Sequence, residues 1–445
     1  MLAKMTELPR ILLPQSPALE VALTVVAKLR EHGHSALLVG GCVRDMLLHL
    51  PPKDFDIATS AHPPQVRALF AHVVEVGAAF GVLRVQQRDR VGKLHDLEVA
   101  TFRAESGYRD GRRPDDVRFT DAREDVLRRD FTINGLLCDP LDVVQGHAVI
   151  QDWVGGLADL ETRQLRAIGD PQERFGEDAL RLLRAPRFAA RFGLTVETQT
   201  RLAIQQLAPQ LTRVSAERIR EELNGMLTAP TAPLALHHLR DLRLDVVLWP
   251  ELANLPDSAH AAGMRLHRAR EALADVHAQR PDAHPLDTTL DFPLALALTL
   301  HPVRAHWPME RLTARLRLAR SEWRRILQIW HLADALTEPL QQRREIQKSA
   351  ALIKLLRHAD ADAALLLLHA LDPQGQALEW REIRAQTLRI QWSPELFVTG
   401  DTLTALGHRP GPRFRQALEV AEDAQLLGKN PQESLEIALA VLHNP

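Results

Sequence analysis

The spacing of apolar residues changes its period once along this chain, near residue 159, and that change limits the folds open to it. Before it, short apolar runs alternate with glycine- and proline-bounded turns. Residues 36–39 and 53–58 read as strands, as do 81–86 and 94–102, which a polar turn at 88–93 would join. Residues 17–32, 43–50 and 64–71 read as helices. After residue 159, segments rich in Ala, Leu and Arg repeat with a 3.6-residue period. Breaks are expected near 228–233, 249–257, 280–293, 338–343, 372–375 and 393–402. The expectation is a mixed α/β head followed by a long all-helical body. A length of 445 residues leaves room for about three domains. The segment 103–116, which holds the only tyrosine, Tyr108, reads as a loop.

Composition removes several classes. At 45% hydrophobic and 25% charged, the chain is neither a collagen nor a disordered tail. No apolar run approaches the ~18–20 residues that span a bilayer, and Met1–Glu20 lacks a secretory pattern. Two cysteines, Cys42 and Cys138, are too few for a disulfide framework, so no disulfide partner and a reducing cytoplasm are expected. The formal charge of −2 means that nucleic acid would have to be met by local basic patches. Of 55 cations, 48 are arginines; codon bias and phosphate contacts both account for that. Six of the seven tryptophans, all but Trp153, fall in the helical body, where packing is their expected role.

Four constellations carry chemistry. Gly40-Gly41-Cys42-Val43-Arg44-Asp45 follows a strand and opens a helix, which suits an anion as well as a plain tight turn. Asp54-Phe55-Asp56 places two carboxylates on one face of a strand, roughly 6.5–7 Å apart at Cα. Such a pair can hold magnesium, which keeps substrate phosphates and water as its other ligands, or can be an acidic edge. A third carboxylate is expected from residues 94–102, with Glu98 preferred over Asp96. Arg128-Arg129-Asp130-Phe131-Thr132-Ile133-Asn134 suits a polyphosphate, or a solvated helix start. Within Glu177-Asp178-Ala179-Leu180-Arg181, Asp178 and Arg181 are neighbours on a helix, either as a simple ion pair or as readers of a base edge. A carboxylate accepts from the amino groups of cytosine and adenine and repels the carbonyl oxygens of uracil and guanine.

In this order, the four motifs resemble the class II tRNA nucleotidyltransferases (CCA-adding enzymes) and the bacterial poly(A) polymerases, most strongly over residues 37–227. Residues 399–403 and 407–412 are similar to the tail of many bacterial CCA-adding enzymes. The resemblance implies a nucleotidyltransferase palm, a mixed sheet with flanking helices, followed by helical neck, body and tail. The corresponding ranges are 1–20 for an N-terminal extension, 21–150 for the head, 151–228 for a base-reading neck, 229–392 for the body and 393–445 for a tRNA-binding tail. It implies CTP and ATP as substrates, two Mg2+ ions as cofactors, and the tRNA acceptor stem and elbow as partner. Asp54 and Asp56 would bind metal, with Glu98 as third catalytic carboxylate. Gly40, Gly41, Arg44, Arg128, Arg129 and Asn134 would meet the nucleotide. Glu177, Asp178, Arg181, Arg184 and Arg187 would form the base-reading site. The segment around Arg103, Tyr108, Asp110 and Arg113 matches the flexible element used in switching from C to A addition.

Three features depart from the family pattern. Pro186 falls inside the base-reading helix, so a kink is expected there and Arg187, half a turn from Asp178, stands apart. His301 is followed by Pro302, so the His-Asp pair of a phosphohydrolase is missing and the body is a degenerate version of that domain. The C-terminus is not basic, unlike many bacterial poly(A) polymerases. Arg409, Arg413 and Arg415 flank a helix start at Gly411-Pro412, where RNA phosphate would dock. The expected function is addition of CCA to tRNA by a two-metal mechanism. An A-adding enzyme, a poly(A) polymerase and a non-catalytic RNA-binding protein are the alternatives.

Overall fold

A computed structural model describes residues 9–77, 81–106, 116–144, 147–279, 289–306, 314–342, 346–387 and 395–443. The chain divides into two compact units, 1–222 with 238–248, and 223–237 with 249–445.

The first unit is built on a mixed sheet. Its elements begin with β1 (Arg10–Leu12) and α1 (Pro17–Glu31). Helix α1 starts where the Ser16 hydroxyl accepts from the Leu19 N–H, with Pro17 in the first helical position. It buries Leu19, Ala22, Val25, Val26 and Leu29, the stripe that a 3.6-residue period lays on one face. Next come β2 (Ala36–Val39), α2 (Gly41–Leu47), β3 (Ile57–Thr59), α3 (Pro63–Leu69) and β4 (Val73–Gly77). They are followed by β5 (Val82–Arg88), β6 (Leu94–Thr101), β7 (Arg103–Ser106), β8 (Asp116–Phe119) and α4 (Ala122–Leu127). The head closes with β9 (Leu137–Val144) and β10 (His147–Gln151). Eight strands form one sheet in the order β1-β10-β9-β2-β3-β6-β5-β4, and β3 with β6 is its parallel pair. The all-apolar β2 lies near the centre and is buried at all four residues, which places the end of β2 and the start of β3 side by side.

Two expectations change here. Strand β3 begins at Ile57, so Asp54 and Asp56 lie on the extended approach to the strand instead of within it. Residues 103–106, within the segment 103–116 expected as loop, pair with 116–119 as an antiparallel hairpin. Arg103 therefore sits in a strand, whereas Tyr108, Asp110 and Arg113 lie outside the described residues.

The unit continues through α5 (Gly156–Glu161), β11 (Gln164–Leu165), α6 (Pro171–Glu177), α7 (Arg181–Phe192), β12 (Thr195–Val196), α8 (Thr198–Leu207) and the first turns of α9 (Ala216–Leu227). Strands β11 and β12 pair in parallel, a contact the helical reading of this region did not anticipate. Helix α7 runs through Pro186 as one 12-residue helix.

In the second unit, helix Phe292–Leu300 is buried at all nine residues, and Trp330 donates its indole N–H to the Ala297 carbonyl at 3.1 Å. Trp249, Trp323, Trp330 and Trp380 are all buried, as packing residues would be; Trp307 and Trp392 lie outside the described residues. Val398, Leu403, Phe414, Ala417, Ala421 and Ala438 make a separate small core near the C-terminus. No helix among the described residues is long and apolar enough to cross a membrane. Both cysteines are free and buried, and burial pushes each thiol up to about 12.

Candidate active site

The site starts where β2 gives way to α2. Gly40 takes φ +68°, a left-handed conformation that favours glycine, and its N–H is bonded to the Leu136 carbonyl. A Cβ at Gly40 would stand 3.0 Å from an Arg129 guanidinium nitrogen, so the absence of a side chain lets that cation approach the turn. Beside the turn runs Asp54-Phe55-Asp56. The Asp56 carbonyl accepts from the Val39 N–H at 3.0 Å, which extends the β2–β3 pairing by one bond. Phe55 is buried, Asp54 exposed and Asp56 half-buried, as alternation along an extended chain requires.

Glu98 joins them through the sheet. Ile57 pairs with Val99 in the parallel β3–β6 ladder, so the preceding residues, Asp56 and Glu98, are in step. Burial, then the charges of Glu98 and Asp54, push the Asp56 carboxyl up to about 7, against the pull of Arg129. Asp96 is drawn to Arg84 at 3.3 Å. A carboxyl made costlier to ionise by two neighbouring carboxylates fits a hard dication. No group of three or more His, Cys, Asp or Glu among the described residues is arranged to hold a metal by itself.

Opposite the acids stands an arginine array held by carboxylates. Asp125, 1% exposed, accepts from Arg128 at 2.6 Å and Arg129 at 2.9 Å, and also from the Arg103 N–H at the root of the β7–β8 hairpin. Burial favours a raised carboxyl at Asp125, but Arg129 and Arg128 outweigh it and hold it below its usual range. Along α7, Arg181 binds Glu177 at 2.6 Å, Arg184 binds Asp130 at 2.7 Å and Arg187 binds Glu222 at 2.5 Å. Burial likewise acts to raise Asp130; Arg184, the Asn134 amide and Arg181 overcome it and hold the carboxyl down to about 2. Arg44 is 4% exposed, held by Asp45 and the Asn134 side-chain oxygen, with its guanidinium 4.2 Å from the Phe192 ring centroid.

Asp178 and Arg181 differ from their sequence expectation. Asp178 has left α6 with φ −144° and ψ 103°, and Arg181 opens α7, so the two are not neighbours on one helix. Arg181 turns to Glu177 and to the Arg174 and Arg128 carbonyls, while Asp178 accepts both Nη groups of Arg218 at 3.0 and 2.7 Å. Likewise, Arg128-to-Asn134 is not a helix start; α4 ends at Leu127 and a single 3-10 turn covers Thr132–Asn134. Sequence reasoning missed Asp125, Arg218 and Glu222. Asp125 was within reach, since it precedes Arg128 and Arg129 by three and four residues. Arg218 and Glu222 carry no local signal, because their partners lie 40 and 35 residues away.

A mixed sheet with a glycine turn, a pair of aspartates at its centre and paired arginines facing them defines a nucleotidyltransferase head. Residues 36–166 match the Poly A polymerase head domain, and 193–255 match the domain described as a probable RNA and SrmB- binding site of polymerase A. The chain is 32% identical over 438 residues to the CCA-adding enzyme of Limosilactobacillus fermentum, covering 94% of this chain and 97% of that one. It is 42% identical over 233 residues to the CCA-adding enzyme of Anoxybacillus flavithermus, covering 52% and 56%. The crystal structure of the Bacillus stearothermophilus CCA-adding enzyme in complex with CTP superposes with a TM-score of 0.74 at 27% identity, covering 96% and 98%. The Thermotoga maritima CCA-adding enzyme complexed with tRNA_CCA shares the fold, with a TM-score of 0.68 at 20% identity over 97% of both chains. The chain belongs to the family of CCA-adding enzymes.

Proposed function

We propose that this chain completes the 3′ end of tRNA by adding CCA from CTP and ATP. The observation that carries the reading is the meeting of Asp54, Asp56 and Glu98 with Arg129 across the Gly40 turn. Carboxylates on one side and cations on the other suit a triphosphate approached by a hydroxyl.

Asp54 and Asp56, with Glu98 beside them, are the residues that would hold magnesium, two ions in this reading. Bound there, magnesium would lower the pKa of the tRNA 3′ hydroxyl and neutralise phosphate charge. The rest falls to side chains. Arg128 and Arg129, fixed by Asp125, face the triphosphate and orient it. Asp178 reads the base, accepting from the amino group of cytosine or adenine, and Arg181 borders that site. Residues 103–114 are assigned to the switch from C to A addition, and the Arg103 backbone at their start is tied to Asp125 and Arg128. Residues 229–392 and 393–445 are assigned to tRNA contact, with Arg409, Arg413 and Arg415 at the N-terminal end of helix Pro412–Leu426 meeting phosphate. Two buried free thiols support a reducing, cytoplasmic setting.

The test supplies three tRNA ends, lacking CCA, lacking CA and lacking only A, with CTP and ATP separately and together. Completion of all three, with a stop after the final A, is expected. Extension of the last end alone identifies an A-adding enzyme, continued growth on ATP a poly(A) polymerase, and no extension at all an RNA-binding protein.

A further inference from the structure

A cavity of about 800 Å3 opens in the first unit, away from the acids and the glycine turn. Ser35, on its wall, precedes β2 and Gly40 follows that strand, which sets the two roughly 16 Å apart. The other walls are the C-terminal end of α1, the start of α4 and the end of β10. Trp153 lines it with 40% of its surface exposed, whereas the other four described tryptophans are 4% exposed or less. A fixed turn presents that ring. Asp152 Oδ1 accepts from the Val154, Gly155 and Gly156 N–H groups at 3.0, 2.9 and 3.1 Å, and Oδ2 from the Leu157 N–H at 2.9 Å.

The polar groups of the cavity divide unevenly. Both carboxylates are already engaged: Asp139 by Arg30 at 2.7 Å and by the Leu141 and Asp142 N–H groups, Asp121 by the Glu124 N–H at 2.9 Å. The side chains of His34, Arg123, Gln151 and Trp153 have no hydrogen-bond or ion-pair partner among the described residues. Each of the four carries an N–H donor, and the Arg123 charge is not neutralised. The cavity therefore has donors to spare, few free acceptors and one open aromatic face. A phosphate answers the donors, and a nucleobase covers the ring.

We propose that this cavity is a second nucleotide site, which takes a free nucleoside monophosphate with its base stacked on Trp153 and its phosphate at Arg123. The volume is that of a pocket for a small ligand. Every base presents a π-face to an indole, so the site selects nucleotides as a class and not one base. It acts apart from the nucleotide to be added, because none of its residues belongs to the acid and arginine array.

The experiment is equilibrium dialysis of labelled AMP against the full chain carrying Asp178→Ala, which removes base reading at the first site. AMP should still bind there. Adding Trp153→Leu should weaken it roughly tenfold, adding Arg123→Gln roughly threefold, and Trp153→Phe should fall between wild type and Trp153→Leu. Adenosine should respond to Trp153→Leu and not to Arg123→Gln. In the otherwise unaltered chain, Trp153→Leu should leave the KM for CTP and ATP in nucleotide addition unchanged. Melting curves report whether the variants fold; if Trp153→Leu does not, Trp153→Phe and Arg123→Gln carry the test. Loss of AMP binding in Asp178→Ala alone, or unchanged affinity in both Trp153 and Arg123 variants, overturns the proposal. Inorganic phosphate bound as tightly as AMP would reduce the cavity to an anion patch and overturn it too. So would a single-stranded RNA hexamer that displaces AMP at lower concentration than AMP itself, since the occupant would then be a strand.

Discussion

Around the site in the first unit, arginines end on carboxylates: Arg129 on Asp125, Arg184 on Asp130, Arg187 on Glu222, Arg218 on Asp178. In the second unit, several arginines end on the carbonyls that helices leave open at their C-termini. Arg265 donates to Leu298 and Thr299, Arg268 to Ala370, Arg270 to Thr228, and Arg384 to Leu356 and His358. Helix Ser258–Gln279 supplies three of these four caps. Burial lowers the Arg265 guanidinium to about 10. A planar fork reaches two carbonyls at once, which a lysine ammonium does less well. An arginine-rich composition is therefore a poor guide to RNA contact by itself. In one region it is an array balanced by carboxylates, and in the other it is a helix-packing device.

The largest effect expected from that contrast lies in the first unit. Asp54→Ala or Asp56→Ala should lower nucleotide addition roughly a thousandfold or more, while tRNA affinity changes by no more than about twofold. Single-turnover extension and filter binding measure the two. Near-normal addition in either variant would leave the arginine array without the acids it is proposed to face.

The second unit should answer in stability. Arg381 and Asp362 are each about 2% exposed and bonded through two contacts of 2.7 and 3.1 Å, with Arg381 also reaching the Ala272 carbonyl. Arg381→Met leaves a buried carboxylate unpaired, which costs roughly 3–5 kcal/mol and should lower the melting temperature by roughly ten degrees. Arg381→Met/Asp362→Leu should recover most of that loss, because the charge to be stranded is gone. A double variant as unstable as the single one would mean that the pair contributes more than mutual neutralisation.

Within the first unit, not every element was equally legible in sequence. Strand β2 and helix α1 fall where their periods place them, because one clean apolar pattern and one set of turn residues decide each. Strand β7 falls in the segment expected as loop because Arg-Ala-Glu-Ser gives a strand little apolar alternation, and its partner β8 lies ten and more residues further along the chain. The Asp178/Arg181 pairing failed for a similar reason. Its spacing suits one helix, and a fork from Arg218, 40 residues on, accompanies the break. Gly176, just before that break, was the readable sign of a helix end. Acid pair, phosphate turn and paired arginines were visible because their chemistry is local. The carboxylates that hold those arginines were not, except for Asp125.

Acid should loosen the second unit before the first. Burial, with Arg304 and Arg265 nearby, lowers His301 from 6.5 to about 4, against Asp334; burial and Arg268 lower His369 as well. Between those values the unfolded chain binds a proton that the folded one does not, so stability contributed by neutral His301 is lost as pH falls from about 6.5 to about 4. Asp130 works in a lower window. Its folded value of about 2 keeps its contribution until pH falls through the range 3.8 to 2. Amide hydrogen exchange, followed by peptide between pH 7 and 4, should show protection falling first around 292–306 while 130–134 stays protected. Simultaneous loss in both regions would break the contrast, and His301→Gln should remove part of the slope in the second unit.

The smallest effect is expected at the tail, where three arginines lie around one helix start. Arg409, Arg413 and Arg415 are exposed around the start of helix Pro412–Leu426, with Phe414 between them anchored in the small C-terminal core. Anchoring Phe414 holds the helix end in place, so the neighbouring arginines offer charge from a fixed position. Three phosphate contacts would make the logarithm of tRNA affinity fall with that of salt more steeply, by about 0.7–0.9 per contact. Replacing all three with Gln should therefore flatten the slope by about two to three and weaken binding several-fold at low salt. CTP affinity should stay constant, because the nucleotide site is built from other residues. An unchanged slope would place these arginines with the structural majority of the second unit, and tRNA contact would have to be sought on another of its faces.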